Sequence, residues 1–552
     1  MTFPRTSWTE QMYRSVGGQD HLGLGSVVTD KILPTLSPGI NVLTPHPRYW
    51  SFYAFVVDEF WRRDLPRTNA SLRRFLRRKE SIFSIAGHLC PNTINQGSPI
   101  GSRRVAPLVA EGRSTYSSDF DYMKSAGGGY GLYYATVMQA TGVVRLAAPE
   151  LGLPADSVTP EIGAQVADAY REAISGTKYW KRYFDADEVP ADVVKEFAEV
   201  GCLCRLREGA PDRELLVDVF LYGGHERESS ARRTSLRMFL DLSHQTSGVA
   251  LNQDDFRRLV MYQSTYDVKS FAEVAIFEPP AHLESVARRW RLSQLREMFN
   301  WSLNGMWQWT CEWGLGHDGD IFPVGISELI NSTAALDLSQ VAGVKSKASE
   351  PVGNLVNECQ ALASMTDSLD GRWELSTSLS EDRIFTLLGS PGLGQEGKSA
   401  ALFVMYVMCL ARLWSPELRV SVGSEDWRPV LEGGSSRIGM QFALDQLRED
   451  VRQGKTVANV FHRVLKEQVI AQHERVALAK LPDDTFRFRT EGGRLRFFDL
   501  PNQFQRNNSR FESISTVCAE LGWTGFLSEK DRHLSTEGQA IRKDGDLVHR
   551  TK

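Results

Sequence analysis

Between Pro47 and Arg63 the chain reads PRYWSFYAFVVDEFWRR, and its apolar residues recur at helical spacing. Tyr49, Phe52, Tyr53, Val56, Val57, Phe60 and Trp61 follow the i, i+3, i+4 rule and share one broad face of an α-helix. A half-buried strand needs a period of two, which this stretch lacks. An aromatic face this wide must be enclosed by other elements. The same period returns along the chain. In residues 69–80, Leu72, Phe75 and Leu76 point inward; residues 286–313 carry Trp290, Trp301, Trp307, Trp309 and Trp313; residues 445–480 hold further long helices. Thr159-Pro-Glu-Ile162 reads as a helix start, with a threonine cap, proline at the first position and glutamate near the positive end of the dipole. Pro190 opens another. The expectation is a mainly α-helical, multi-lobed protein.

Strand signals are few. In residues 485–498, Phe and Arg alternate on both sides of Glu491-Gly492-Gly493, which predicts a β-hairpin with an exposed antiparallel strand. Ile384-Phe-Thr-Leu-Leu388 reads as a short strand. Gly127-Gly-Gly129 reads as a flexible joint before an apolar helix over residues 132–146. At the C-terminus an amphipathic helix, residues 511–521, ends at Gly522. A short strand, a charged turn, a second strand and a new helix after Ser535-Thr-Glu-Gly538 would follow, the order of a winged helix. Residues 344–353 are the best linker candidate. The expected division is 1–125, a helical domain with a basic helix; 126–250, helical; 251–345, the Trp-rich segment; 346–480, helical; and 481–552, hairpin and winged helix.

With 552 residues, 42% hydrophobic and 24% charged, the composition is that of a soluble globular protein. Seven cysteines are scattered without a CxxC pair, which argues against a disulfide framework or a zinc knuckle and for a reducing cytosol. The start, MTFPRTSWTEQ, lacks the apolar core of a signal peptide. The longest apolar run, residues 400–410, falls short of the roughly 20 residues a membrane span needs. A cytoplasmic, non-membrane protein is expected.

The stretch Gly392-Leu-Gly-Gln-Glu-Gly397-Lys398-Ser399 matches G-x-x-x-x-G-K-[ST], the phosphate loop of many nucleotide hydrolases. In that reading, backbone N–H groups surround the phosphates, Lys398 neutralises them and Ser399 binds magnesium. The loop should leave a buried strand directly, yet Gly389-Ser-Pro separates it from residues 384–388. The nearest carboxylate for magnesium, Asp499, lies by the Phe/Arg hairpin. The competing reading is a glycine-rich entry to a core helix. A similar glycine-polar entry recurs at Gly223-Gly-His225.

Other constellations are weaker. His317-Asp-Gly-Asp320 suits a turn as well as a metal, and Cys202-Leu-Cys204 suits buried small residues. His473-Glu474 lacks the second histidine of a zinc-protease motif. Asp218, in LLVDVF, has the setting of a metal-binding aspartate at a strand end, but no Glu-x-Lys follows. No catalytic residue, metal or cofactor is assigned.

Charge is uneven. From Arg62 to Arg113 eleven basic residues face three acidic ones, +8 in a chain of net charge −4. Arg73, Arg74, Arg77, Arg78 and Lys79 crowd one side of a helix opposite its apolar face, and Arg103 and Arg104 follow. Such a stripe can track phosphates; the alternative is a solvated face or one paired with acids from elsewhere. Arg48, beside a buried aromatic face, needs a carboxylate partner or an anionic ligand.

Leu36-Ser-Pro-Gly-Ile-Asn-Val-Leu-Thr-Pro-His-Pro-Arg-Tyr-Trp-Ser-Phe52 resembles a PGxxxxTxxxRYxxF signature near the N-terminus of uncharacterised bacterial proteins of mobile elements and defence islands. An Arg-rich helix, an Ile-Gly-x-Arg-Arg element (Ile100–Arg104) and a Tyr-rich helix (Tyr130–Tyr134) follow in the same order. The resemblance spans residues 20–145. It implies a bacterial source and a role in anti-phage defence, and it carries over no catalytic residue. The expected function is a non-enzymatic binding or scaffold component of a multi-subunit complex, contacting DNA, RNA or partner proteins. The alternative is a nucleotide hydrolase using Gly392, Gly397, Lys398 and Ser399.

Overall fold

The computed structural model describes residues 20–92, 99–207, 209–316, 324–325, 336–363, 373, 375, 379–390, 392–414, 430–432, 438–481, 485–498 and 506–545. It is mainly helical, with a few short antiparallel strands. The chain divides into two compact units, each assembled from two separate stretches. Pro34–Gln253 and Ser509–Lys552 form the signature unit; Met1–Leu33 and Asp254–Asn508 form the tryptophan unit.

In the signature unit the aromatic helix runs Arg48–Arg62 and is enclosed as its sequence requires. It packs against Ile162–Ile174 and Asn69–Leu89. Tyr49 stacks on Tyr53 at 5.4 Å, Phe52 on Phe83 at 4.1 Å, and Tyr134 meets Tyr49 at 4.9 Å. The Tyr49 hydroxyl accepts a hydrogen bond from the Ile100 N–H at 2.9 Å, which ties two parts of the N-terminal signature together. At Gly39, φ is +75°, and a Cβ would stand 2.6 Å from Thr141 Cγ2. These signature residues therefore form one packing unit.

Three expectations for this unit are corrected. Gly127-Gly-Gly129 is no loose joint: a Cβ on Gly129 would lie 2.3 Å from Ile100 Cδ1 and 2.5 Å from Glu80 Oε1. The helix after it, Tyr130–Tyr134 continued by Ala135–Ala140, stops six residues early. Gly142 turns with φ +73°, and Val144–Arg145 pairs with Ser157–Val158. The C-terminal region contains two helices, Phe511–Glu520 and Thr536–Asp544, packed on Glu226–Gln245. The residues between them form no strands, so no wing is present. The buried Arg532 guanidinium there collects the carbonyls of Thr246, Val249, Leu527 and Glu529, holding the segment as an irregular loop. The helix start read at Ser535 is present, its hydroxyl accepting from the Gly538 N–H.

In the tryptophan unit the long helix Glu284–Gly316 packs along Gln395–Ala411. The expected hairpin pairs Phe488–Glu491 with Arg494–Phe497, and Gly492 and Gly493 both have positive φ, as a primed two-residue turn requires. Residues 344–353 are not a linker: Glu358 accepts the N–H groups of Lys345 and Ser346, and Val352 N–H reaches the Lys455 carbonyl. Residues 384–388 are helical, the end of Glu381–Leu388. Ser380 caps this helix, and Glu381 and Asp382 occupy its first turn, start signals that outweigh a short apolar run. Among the described residues no helix is long and apolar enough to cross a membrane.

Candidate nucleic-acid interface

The basic helix is Asn69–Leu89, capped by Thr68 and seated on Leu72, Phe75 and Leu76. Its cations divide into two groups. The Arg77 guanidinium donates to Asp121 at 2.9 Å and to the carbonyls of Met123 and Ser125. Arg78 donates to Ser118 Oγ and to the Asp187 carboxylate. Lys79 is buried; its ammonium donates to the Phe184 carbonyl and to Asp185, and lies 4.1 Å from the Phe184 ring centroid. Burial pushes its pKa down to about 8, although Asp185 works against that. Arg104, on the packed helix Ser102–Ala110, reaches Asp121 at 2.6 Å. Asp121 thus joins the two helices through Arg77 and Arg104.

Arg73, Arg74 and Arg103 make up the other group. All three are exposed, and no ion pair or hydrogen bond engages them among the described residues. Arg73 and Arg74 stand one turn before Arg77 and Arg78, and Arg103 stands next to Arg104, so Asp121 anchors the frame that carries them. The expected seven-residue stripe is therefore a three-arginine surface above an internally paired layer. The acids that pair that layer come from residues 121–187, outside the window in which the stripe is read.

Of the two alternatives for Arg48, a carboxylate partner or an anionic ligand, the carboxylate partner is present. It is buried, its guanidinium bonds Asp212, and it donates to the Cys202 carbonyl. Asp218 lies within the helix Arg213–Tyr222, not at a strand end. His473 Nε2 accepts the Arg487 N–H at 3.1 Å, and Glu474 accepts that of Thr490, so this pair fastens the hairpin to the helix Ala471–Ala479. Burial pushes His473 down to about 3, leaving it neutral. His317, Asp318, Asp320 and Asp499 lie outside the described residues.

The glycine-lysine stretch follows a helix and starts another. Gly394 precedes the helix Gln395–Ala411, so Gly397, Lys398 and Ser399 lie in its first turns. The Lys398 N–H bonds the Gly394 carbonyl at 2.9 Å, and Ser399 Oγ is buried against the Glu396 carbonyl. Gly397 faces Gln340, whose Oε1 would be 2.2 Å from a Cβ. Gly392 is exposed. Lys398 is half-buried and lines a cleft of about 300 Å³ with Trp301, Gln308, Trp309, Glu312 and Phe385.

Two features escape sequence reading. Cys90 joins Cys202 and Cys204 in one buried cluster. Glu80 is buried and accepts the N–H groups of Gly129 and Tyr130. The sequence sets Cys202 and Cys204 together but gives no sign of Cys90, and Glu80 stands in the charged run Arg77-Arg78-Lys79-Glu80, which does not mark it as buried. No family model, curated protein or solved structure matches the chain.

Proposed function

We propose that this chain is a non-enzymatic binding component of a bacterial defence or mobile-element complex, and that it contacts nucleic-acid backbone through Arg73, Arg74 and Arg103. The observation that carries this is the set of three exposed guanidiniums without acidic partners among the described residues, on two helices cross-tied by Asp121. A surface arginine already engaged by a carboxylate must give up that pairing to meet a phosphate; these three need not. The defence setting rests on the signature residues, and a cytoplasmic location fits seven cysteines of which none forms a disulfide.

Three phosphate contacts give an affinity that falls about 40-fold between 50 and 200 mM salt. Titration of duplex DNA and of single-stranded RNA, each at several salt concentrations, checks this. Arg73→Glu/Arg74→Glu/Arg103→Glu is expected to abolish binding and its salt slope. Binding that survives the triple substitution unchanged rules the surface out.

A second reading concerns the cleft beside Lys398. A cation among Trp301, Trp309 and Phe385 suits an aromatic anion such as a nucleotide, held without a phosphate loop. Binding of ATP and magnesium that disappears in Lys398→Ala supports it; no binding at millimolar nucleotide rejects it.

A further inference from the structure

Three cysteines from separate segments meet inside the signature unit. Cys90 ends the basic helix, Cys202 ends the helix Ala191–Gly201, and Cys204 lies in the short helix Leu203–Leu206. All are buried, and their sulfur atoms lie within 4.8 Å of one another, Cys90 Sγ and Cys204 Sγ at 3.5 Å. None is in a disulfide. Thiols are weak donors and weak acceptors, so their mutual hydrogen bonds do little to gather them. A shared ion does much more. With zinc–sulfur bonds near 2.3 Å, the sulfurs of a tetrahedral site stand about 3.8 Å apart, the scale of this triangle.

We propose that Cys90, Cys202 and Cys204 bind one zinc ion. Three thiolate sulfurs suit a redox-inert, thiophilic ion, and the burial of all three suits a structural role. Binding exchanges protons for metal: Zn²⁺ and three thiols give a tris-thiolate of charge −1 and release three protons. Arg48 positions the cluster by holding the Cys202 carbonyl. The ion would clamp the end of the basic helix to the segment after Gly201.

Cobalt(II) titration of the reduced, metal-stripped full chain tests the proposal. The expected result is one equivalent bound, with a thiolate-to-cobalt band in the near ultraviolet, displaced by zinc and lost in Cys202→Ser. A folded wild-type chain with no thiolate band in excess cobalt overturns the site, as does a band that persists in both Cys202→Ser and Cys204→Ser. Cys518→Ser, at a buried cysteine outside the cluster, controls for general loss of a thiol.

Discussion

Glu80 in the signature unit and Glu381 in the tryptophan unit are equally buried, each with no exposed surface. Their carboxyls nevertheless shift in opposite directions. No ion pair engages Glu80 among the described residues; it accepts the N–H groups of Gly129 and Tyr130, with Tyr53 and Tyr122 close by. Burial dominates there and pushes its pKa up to about 7. Glu381 is also raised by burial, but the Arg412 guanidinium, bonded at 2.9 and 3.2 Å, overcomes this and holds it below the usual carboxylate range. Tyr262 donates a further hydrogen bond at 2.8 Å. Burial sets the cost of a charge, and the partner decides whether the charge is kept.

Breaking the charged pair is expected to have the largest effect. Arg412→Met leaves Glu381 buried without its counter-charge and costs about 3–5 kcal/mol, read as a fall in the urea midpoint of the tryptophan unit. Next comes the pH dependence of Glu80. The unfolded carboxyl loses its proton near pH 4.5 and the folded one near pH 7. Between those values the native state holds the extra proton, so its stability contribution is complete below pH 4.5. It declines as the pH rises, by about 3 kcal/mol at pH 8. Glu80→Gln, which cannot ionise, should flatten this decline; denaturant unfolding at pH 5 and pH 8 decides, and an unchanged slope sinks the account.

Gly129→Ala puts a methyl against Ile100 and the Glu80 carboxyl and should cost about 1–3 kcal/mol, seen as a lower melting temperature. The smallest effect belongs to the exposed arginines. Arg73→Glu, Arg74→Glu and Arg103→Glu should each change stability by less than about 0.5 kcal/mol, so a loss of nucleic-acid binding in the triple variant can be read as a loss of contacts.

What the sequence reveals and what it hides divide along the same line. The aromatic helix, the Gly492-Gly493 hairpin and the Ser535 start are legible because each depends on residues within a few positions. Residues 384–388 mislead because five apolar-rich residues carry no period; the deciding signals are Ser380, Glu381 and Asp382, just upstream. The basic stripe reads as seven residues because Asp121, Asp185 and Asp187 are remote in sequence. The cysteine cluster is hidden for the same reason, since Cys90 and Cys202 meet across more than a hundred positions. Gly128 and Gly129 look like freedom, yet the side chains of Tyr122, Glu80 and Ile100 stand too near for a Cβ at either position.

The division of each unit between distant stretches has a consequence for synthesis. A ribosome adds roughly 5–20 residues per second, and domains generally fold as they emerge. Neither unit can do so here. The stretch before Leu33 waits for partners that begin at Asp254, and the fold built on Pro34–Gln253 stays open until Ser509–Lys552 arrives. The face of Glu226–Gln245 that receives the two C-terminal helices is therefore bare until Phe511–Glu520 and Thr536–Asp544 are made. Phe239, Leu240 and Leu242, buried in the finished protein, lie in that helix. The signature unit is complete only once Ser509–Lys552 has joined Pro34–Gln253, and a transcript cut short before residue 509 would release a product with an open core.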